Sequence, residues 1–241
     1  MYSNRLSFRE TNRFQKQISL PEIGEQGQLK LKHSSVLVFG AGQIGSPVLQ
    51  YLVASGIGKI GIVDDGKIED QDLQCQLLYG MKDIGKHKVI IAKQKLSTQS
   101  PYVDITIINI KLTDDNARGM IRDYDVIVDS TNKISDHYII DDACLHENKT
   151  WIYGSIIRYS GKVTVFNYSK GLTYRDVYPE SPVKEEIQDS NKQGVISVLP
   201  GLICGLMAAE VIKFLVGFGD VLSGKMLSID LQKNKFQILT V

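Results

Sequence analysis

The sequence predicts an α/β protein with a doubly wound, mostly parallel sheet, an antiparallel C-terminal part and an N-terminal helical extension. Three observations point there. Val- and Ile-rich runs at Ser35–Phe39, Lys59–Val63, 105–110 and 125–129 alternate with helical patterns at 44–55, 86–99, 115–122 and 134–147. The strands are continuously apolar rather than alternating, as expected of parallel strands covered on both faces. The stretch VLVFGAGQIG (36–45) is a strand running into G-x-G-x-x-G at a helix start.

Each element follows in order. Residues 11–17 and 22–32 read as two short helices separated at Pro21. After the four βα units, TWIYGSIIRYSGKVTVFNYS (150–169) reads as two strands joined by a bend near Tyr159-Ser160-Gly161. Residues 169–194 have little periodicity, two prolines and mixed charge, and irregular chain of that length usually carries function or moves. A helix at Leu199–Val216 and a hairpin, GKMLSIDLQKNKFQILTV, close the domain. The expected organisation is one domain over 1–241: a helical arm (1–33), an α/β core (34–168), a crossover loop (169–194) and a helix plus hairpin (195–241).

Bulk properties exclude several classes. With 28 Lys and Arg against 27 Asp and Glu, no global field favours nucleic acid or an anionic membrane. Cys75, Cys144 and Cys204 are widely spaced, odd in number and without a C-x-x-C pair, which predicts neither zinc nor a disulfide framework and fits a reducing cytoplasm. The polar N-terminal stretch lacks the apolar segment of a signal peptide, so the expected location is cytoplasmic. The apolar stretch at 195–219 contains Pro200, Glu210 and Lys213, and a carboxylate at mid-bilayer is costly, so it is expected to be a buried helix. Gly201 and Gly205 on it would allow close approach of another element.

The glycine loop alone leaves its ligand open. Asp64 lies about 20 residues beyond it, where a Rossmann-like fold places the acid that holds an adenosine ribose. NAD and ATP both carry that ribose. Hydride transfer would also need a proton-transfer group. Of the four histidines only His87 falls in a βα connection, and the Tyr/Lys constellation of short-chain dehydrogenases is not evident.

Five blocks, in order, make the pattern particular: RFQKQISL (13–20), GAGQIGSPVLQYLVASGIGKIGIVD (40–64), IGKHKV (84–89), VDST (128–131) and GSIIRYSGKVTVF (154–166). The chain resembles the ThiF/MoeB/HesA family, the adenylyltransferases of molybdopterin and thiamin synthesis and the adenylation domains of ubiquitin-activating enzymes. The resemblance implies a homodimer or a heterodimer with a ThiF-like relative. It implies binding of ATP and Mg2+ and activation of a carboxylate, at the C terminus of a ubiquitin-like carrier protein or of a peptide, as an acyl-adenylate. By the same resemblance Gly40, Gly42 and Gly45 form the nucleotide loop and Asp64 is the ribose acid. Lys88 reaches the phosphates, Gln74 matches a glutamine of the pocket, and Asp129 is the first aspartate after the fourth strand.

The sequence also departs from that pattern. NLQRQ becomes Asp72-Leu73-Gln74-Cys75-Gln76, replacing the phosphate-binding arginine by Cys75. D-x-T-D-N becomes Asp129-Ser130-Thr131-Asn132-Lys133, replacing the magnesium-binding aspartate by Asn132. Lys16 replaces the second arginine of RYNRQ, the segment one protomer sends into its neighbour's site; charge is kept and the bidentate fork is lost. Arginines serving a transferring phosphate are worth roughly 10³–10⁵ in rate, and magnesium prefers carboxylate oxygen. Lys133 and Lys86 are candidates to restore the cation, and Asp129 or Asn132 to hold the metal. The family's CYRC reads Thr173-Tyr174-Arg175-Asp176, so no zinc is expected, and Ser190 stands near the transfer cysteine's place. Two functions follow from the resemblance. One is a variant adenylyltransferase acting through Lys88, Asp129 and a neighbour's Lys16; the other is an inactive subunit that supports an active relative or a carrier protein.

Overall fold

The computed structural model describes residues 5–179 and 194–241. Its strands are β1 (Ser35–Phe39), β2 (Lys59–Val63), β3 (Asp104–Ile108), β4 (Val126–Asp129), β5 (Thr150–Ile157), β6 (Ser160–Phe166), β7 (Lys225–Asp230) and β8 (Lys235–Thr240). They form one sheet in the order β3-β2-β1-β4-β5-β6-β7-β8. Pairing is parallel from β3 to β5 and antiparallel from β5 to β8. The expected doubly wound, mixed sheet is thus the observed one.

The helices are α1 (Phe8–Ile18), α2 (Gly24–His33), α3 (Gly45–Ser55), α4 (Lys88–Gln99), α5 (Asp114–Ile121), α6 (Ile134–His146), α7 (Tyr174–Val177) and α8 (Leu199–Val216). Alternate strand residues feed two cores. Val36, Val38, Ile60 and Ile62 pack with α3, α4 and α8 on one face; Leu37, Phe39, Ile127 and Trp151 pack with α5, α6 and α7 on the other. This is why the strands read as unbroken apolar runs.

The apolar α8 is a core helix: Ile203, Cys204, Met207 and Val211 are buried. It is the one described helix long and apolar enough to cross a membrane, and half of it is buried in the protein. Glu210 is satisfied inside, accepting from Leu222 N at 2.9 Å and pairing with Lys213. Close approach is permitted by glycines of the sheet. A Cβ on Gly154 would lie 2.1 Å from Met207 Sδ, and one on Gly161 would lie 2.5 Å from Ile203 Cδ1. Gly201 and Gly205 instead have open space beside them within the chain.

Several expected boundaries move, each for a physical reason. The helix expected from 86 starts at Lys88, because His87 is extended (ψ 132°) and bridges Lys67. The third strand ends at Ile108 rather than 110, since its partner β2 ends at Val63. The first helix begins at Phe8, not 11, behind a capping box in which Ser7 and Glu10 cap each other. The irregular stretch from 169 contains α7, capped by Thr173; Ser190 and most of the crossover loop lie outside the described residues. Within the arm Lys32 and Glu10 join α2 to α1 at 2.8 Å, and Phe14, buried against Gly56, ties the arm to the core.

Candidate functional site

At the C-terminal end of β1 the chain turns through the glycine loop into α3. Gly40 has φ +94°, in the left-handed region open to glycine, and its N–H donates to Val63 O at 2.8 Å. A Cβ on Gly45 would sit 2.0 Å from Gly40 O, so only glycine lets the helix start pass under the turn. Gly42 meets nothing closer than Gln76 Nε2 at 3.9 Å and faces open space. The three glycines thus have different tasks, and Gly42 leaves backbone free for a ligand to approach.

Asp64, one residue past β2, is held against this loop. Its Oδ2 accepts from Ala41 N at 2.8 Å and its Oδ1 from Gly66 N at 2.7 Å. Each carboxylate oxygen keeps a further lone pair for a hydroxyl donor. Tyr79 braces the loop from behind by donating to Ala41 O at 2.8 Å.

Lys88, at the start of α4, is engaged by a carboxylate the sequence reading passed over. Its Nζ lies 3.1 Å from Asp72 Oδ2. Asp72 also accepts from Glu69 N at 2.9 Å and from Gln76 Nε2 at 2.6 Å, which fixes it in place. Gln74 is exposed at the cavity rim. Cys75 is 3% exposed and does not line the cavity. Burial, with Asp72 nearby, pushes its thiol pKa up, the opposite of a reactive thiolate.

Asp129 ends β4, fully buried. Its Oδ1 accepts from Thr131 N and Oγ1 at 2.9 and 2.8 Å, and its Oδ2 lies 2.7 Å from His137 Nδ1. It builds the loop from beneath, while Asn132, Lys133 and Asp136 face the cavity above it. Burial raises the pKa of Asp136, with Lys133 opposing. Asp136 was missed in the sequence; its signal was an acid in the first turn of a helix, four residues after Asn132.

Gly40, Gly42, Asp64, Asp72, Gln74, Lys88, Asn132, Lys133 and Asp136 line one cavity of about 1140 Å³, whereas Gly45, Cys75 and Asp129 stand behind it. Its floor continues onto β5, β6 and β7, with Lys162 on β6, and Tyr153 of β5 forms an aromatic wall with Tyr174 of α7 and Tyr178 at the end of that helix. Lys16 is exposed on α1 and Arg13 donates to Gln99 O at the end of α4; neither lines the cavity of its own chain. Among the described residues no group of three or more His, Cys, Asp and Glu side chains is placed to hold a metal ion. A divalent ion here would draw most of its oxygens from a bound ligand and water, as magnesium does at phosphate sites.

A protein-family model described as "ThiF family" matches residues 14–241. The chain is 44% identical over 237 residues to a probable molybdopterin-synthase adenylyltransferase of Porphyra purpurea, covering 97% of this chain and 62% of that protein. It therefore spans less than two thirds of that relative's length. It is 37% identical over 237 residues to the sulfur carrier protein adenylyltransferase of Thermus thermophilus, covering 96% of this chain and 88% of that one. Among solved structures, E. coli MccB in complex with MccA-N7isoASN shares the fold with a TM-score of 0.84 at 22% identity, over 95% of this chain and 72% of that chain. PaaA does so with a TM-score of 0.83 at 23% identity, over 100% and 76%. Read with the glycine loop, the Asp64 clamp and the mixed sheet, the match over nearly the whole length places this chain in the ThiF family.

Proposed function

We propose that this chain adenylates a carboxylate with ATP, the carboxylate being the C terminus of a ubiquitin-like carrier protein or of a peptide. The observation that carries the reading is the continuity of one cavity, from the Asp64 clamp and glycine loop to the tyrosine-lined floor over β5–β7. One end suits a nucleotide and the other an extended chain. The names of the Porphyra and Thermus relatives, and a solved structure of MccB with ATP, support the same class of reaction.

In this reading Asp64 accepts from the ribose hydroxyls. The backbone at Gly40 and Gly42 lets the phosphates approach, with Gln74 at the rim. Lys88 leaves Asp72 to meet the phosphates, and the partner subunit's Lys16 adds a second cation when two chains pair. The substrate carboxylate attacks the α-phosphorus, the bond to the bridging oxygen breaks, and pyrophosphate leaves with the electron pair. Asn132 and Asp136 line the cavity and in this reading would hold magnesium, with Asp129 fixing the loop that carries Asn132. When bound, the ion would neutralise phosphate charge.

Calorimetric titration with ATP and magnesium, and separately with NAD, tests the reading. The expected result is saturable ATP binding, weakened tenfold or more by K88A, and no heat with NAD. Binding of NAD in place of ATP would overturn it. The alternative, an inactive supporting subunit, is favoured by the pairing of Lys88 with Asp72 and by Cys75 and Asn132. It predicts that activity emerges only on mixing with an active relative.

A further inference from the structure

We propose that Lys162 binds the substrate's reacting carboxylate and so makes a free C-terminal carboxylate the feature this site selects. This rests on the adenylation reading and names the group on the protein that would receive the second substrate.

Three observations carry it. First, Lys162 is the centre of a cross-strand row: on β6 it pairs with Ser155 of β5 and Ser228 of β7, and all three line the cavity. Directly opposed residues on neighbouring strands project from the same face, so this row is a polar stripe across the floor. Second, among the described residues the ammonium has no carboxylate partner, and its one close polar contact there is Tyr178 Oη at 3.3 Å. Lys88, by contrast, is already paired with Asp72. Tyr138 donates to the main-chain carbonyl of Tyr178 at 2.9 Å, and the Tyr178 ring centroid lies 5.8 Å from the ammonium. Third, the sheet register sets Lys162 apart from the phosphate end. Phe39, the last residue before the glycine loop, is level with Asp129, Asp129 with Tyr153, and Tyr153 with Thr164. Lys162 is two strands beyond Asp129 and two residues past that level, across the cavity from Lys88.

The chemistry needs a cation there. A carboxylate that must approach a polyphosphate is repelled by it, and the repulsion is stronger in a partly desolvated cavity than in water. A lysine at the far wall supplies an ion-paired hydrogen bond on the approach side, with Ser228 in the same row able to donate to the same oxygens.

The test uses a fluorescent decapeptide ending in two glycines, as the free acid and as the C-terminal amide, titrated by anisotropy in magnesium and a non-hydrolysable ATP analogue. The wild-type chain is expected to bind the acid at least tenfold more tightly than the amide. K162Q should bind both alike, K162R should recover part of the preference, and both variants should keep wild-type nucleotide affinity, which controls for folding. Equal affinity of the wild type for acid and amide, no binding of either, or a preference retained in K162Q would overturn the proposal. Loss of the adenylation reading itself would show separately, as absence of nucleotide binding by the wild type.

Discussion

Lys88 Nζ and Asp72 Oδ2 form a 3.1 Å ion pair in which the two side chains are only 14% and 15% exposed. A phosphate arriving at Lys88 therefore competes with a carboxylate that Glu69 N and Gln76 hold in place. Asp72 stands where the family pattern has asparagine. D72N should remove the competing charge while its amide oxygen can still accept a hydrogen bond. Affinity for ATP should rise about tenfold, the free-energy equivalent of one modest ion pair. An isothermal titration showing weaker binding in D72N would mean that Asp72 orients Lys88 rather than restrains it.

The glycines should separate under substitution. In G45A the new Cβ meets Gly40 O at 2.0 Å, backbone against backbone, and overpacking of this kind costs about 1–3 kcal/mol or more. In G42A the Cβ has room and the φ is ordinary. G45A should lower the thermal midpoint by several degrees. G42A should leave it nearly unchanged yet weaken ATP binding, because the methyl occupies the approach to the backbone.

In the loop and helix that follow β4, D136N should weaken the stimulation of ATP binding by magnesium roughly tenfold, as expected for loss of one charged contact. N132D should strengthen it by adding a carboxylate. Titrations in magnesium and in EDTA read both effects. Equal dependence on magnesium in wild type and D136N would exclude Asp136 from the metal's surroundings.

The arm carries a pH signature. Burial alone would raise the pKa of Glu10, but bonds from Lys32 and Ser7 outweigh it and the value is lowered. An acid depressed in the folded state contributes stability above its unfolded pKa and loses it as pH falls through the folded value. E10Q, which weakens the helix cap and breaks the pair with Lys32, should cost about 1 kcal/mol at neutral pH. The difference from wild type should fade below about pH 4.5, the unperturbed value. Urea unfolding at pH 7 and pH 3.5 measures it.

The strands were legible because burial on both faces leaves continuous apolar runs, as at Ser35–Phe39, where four of the five residues are buried. The capping box Ser7-Phe8-Arg9-Glu10 was also on the page and would have moved the first helix to its observed start. The start of α4 was not, since a bridge between Lys67 and His87 is a tertiary event that propensity does not see. In the site, Asp64 and the glycines were legible because their spacing is local and steric. Asp72 stood in the 72–76 stretch that departs from NLQRQ, but its effect depends on reaching Lys88, 16 residues on. Lys162 was hidden for a further reason: only the register of three strands shows that it shares a row with Ser155 and Ser228.

The most direct measurement is exchange of labelled pyrophosphate into ATP in the presence of a carrier protein with a free C-terminal carboxylate. The account predicts label in ATP only when ATP, magnesium and the free-acid carrier are present together, and none with the carrier's C-terminal amide. ATP binding without exchange for any carrier, and with exchange appearing only on adding an active ThiF-family relative, would contradict catalysis by this chain and leave the supporting-subunit reading.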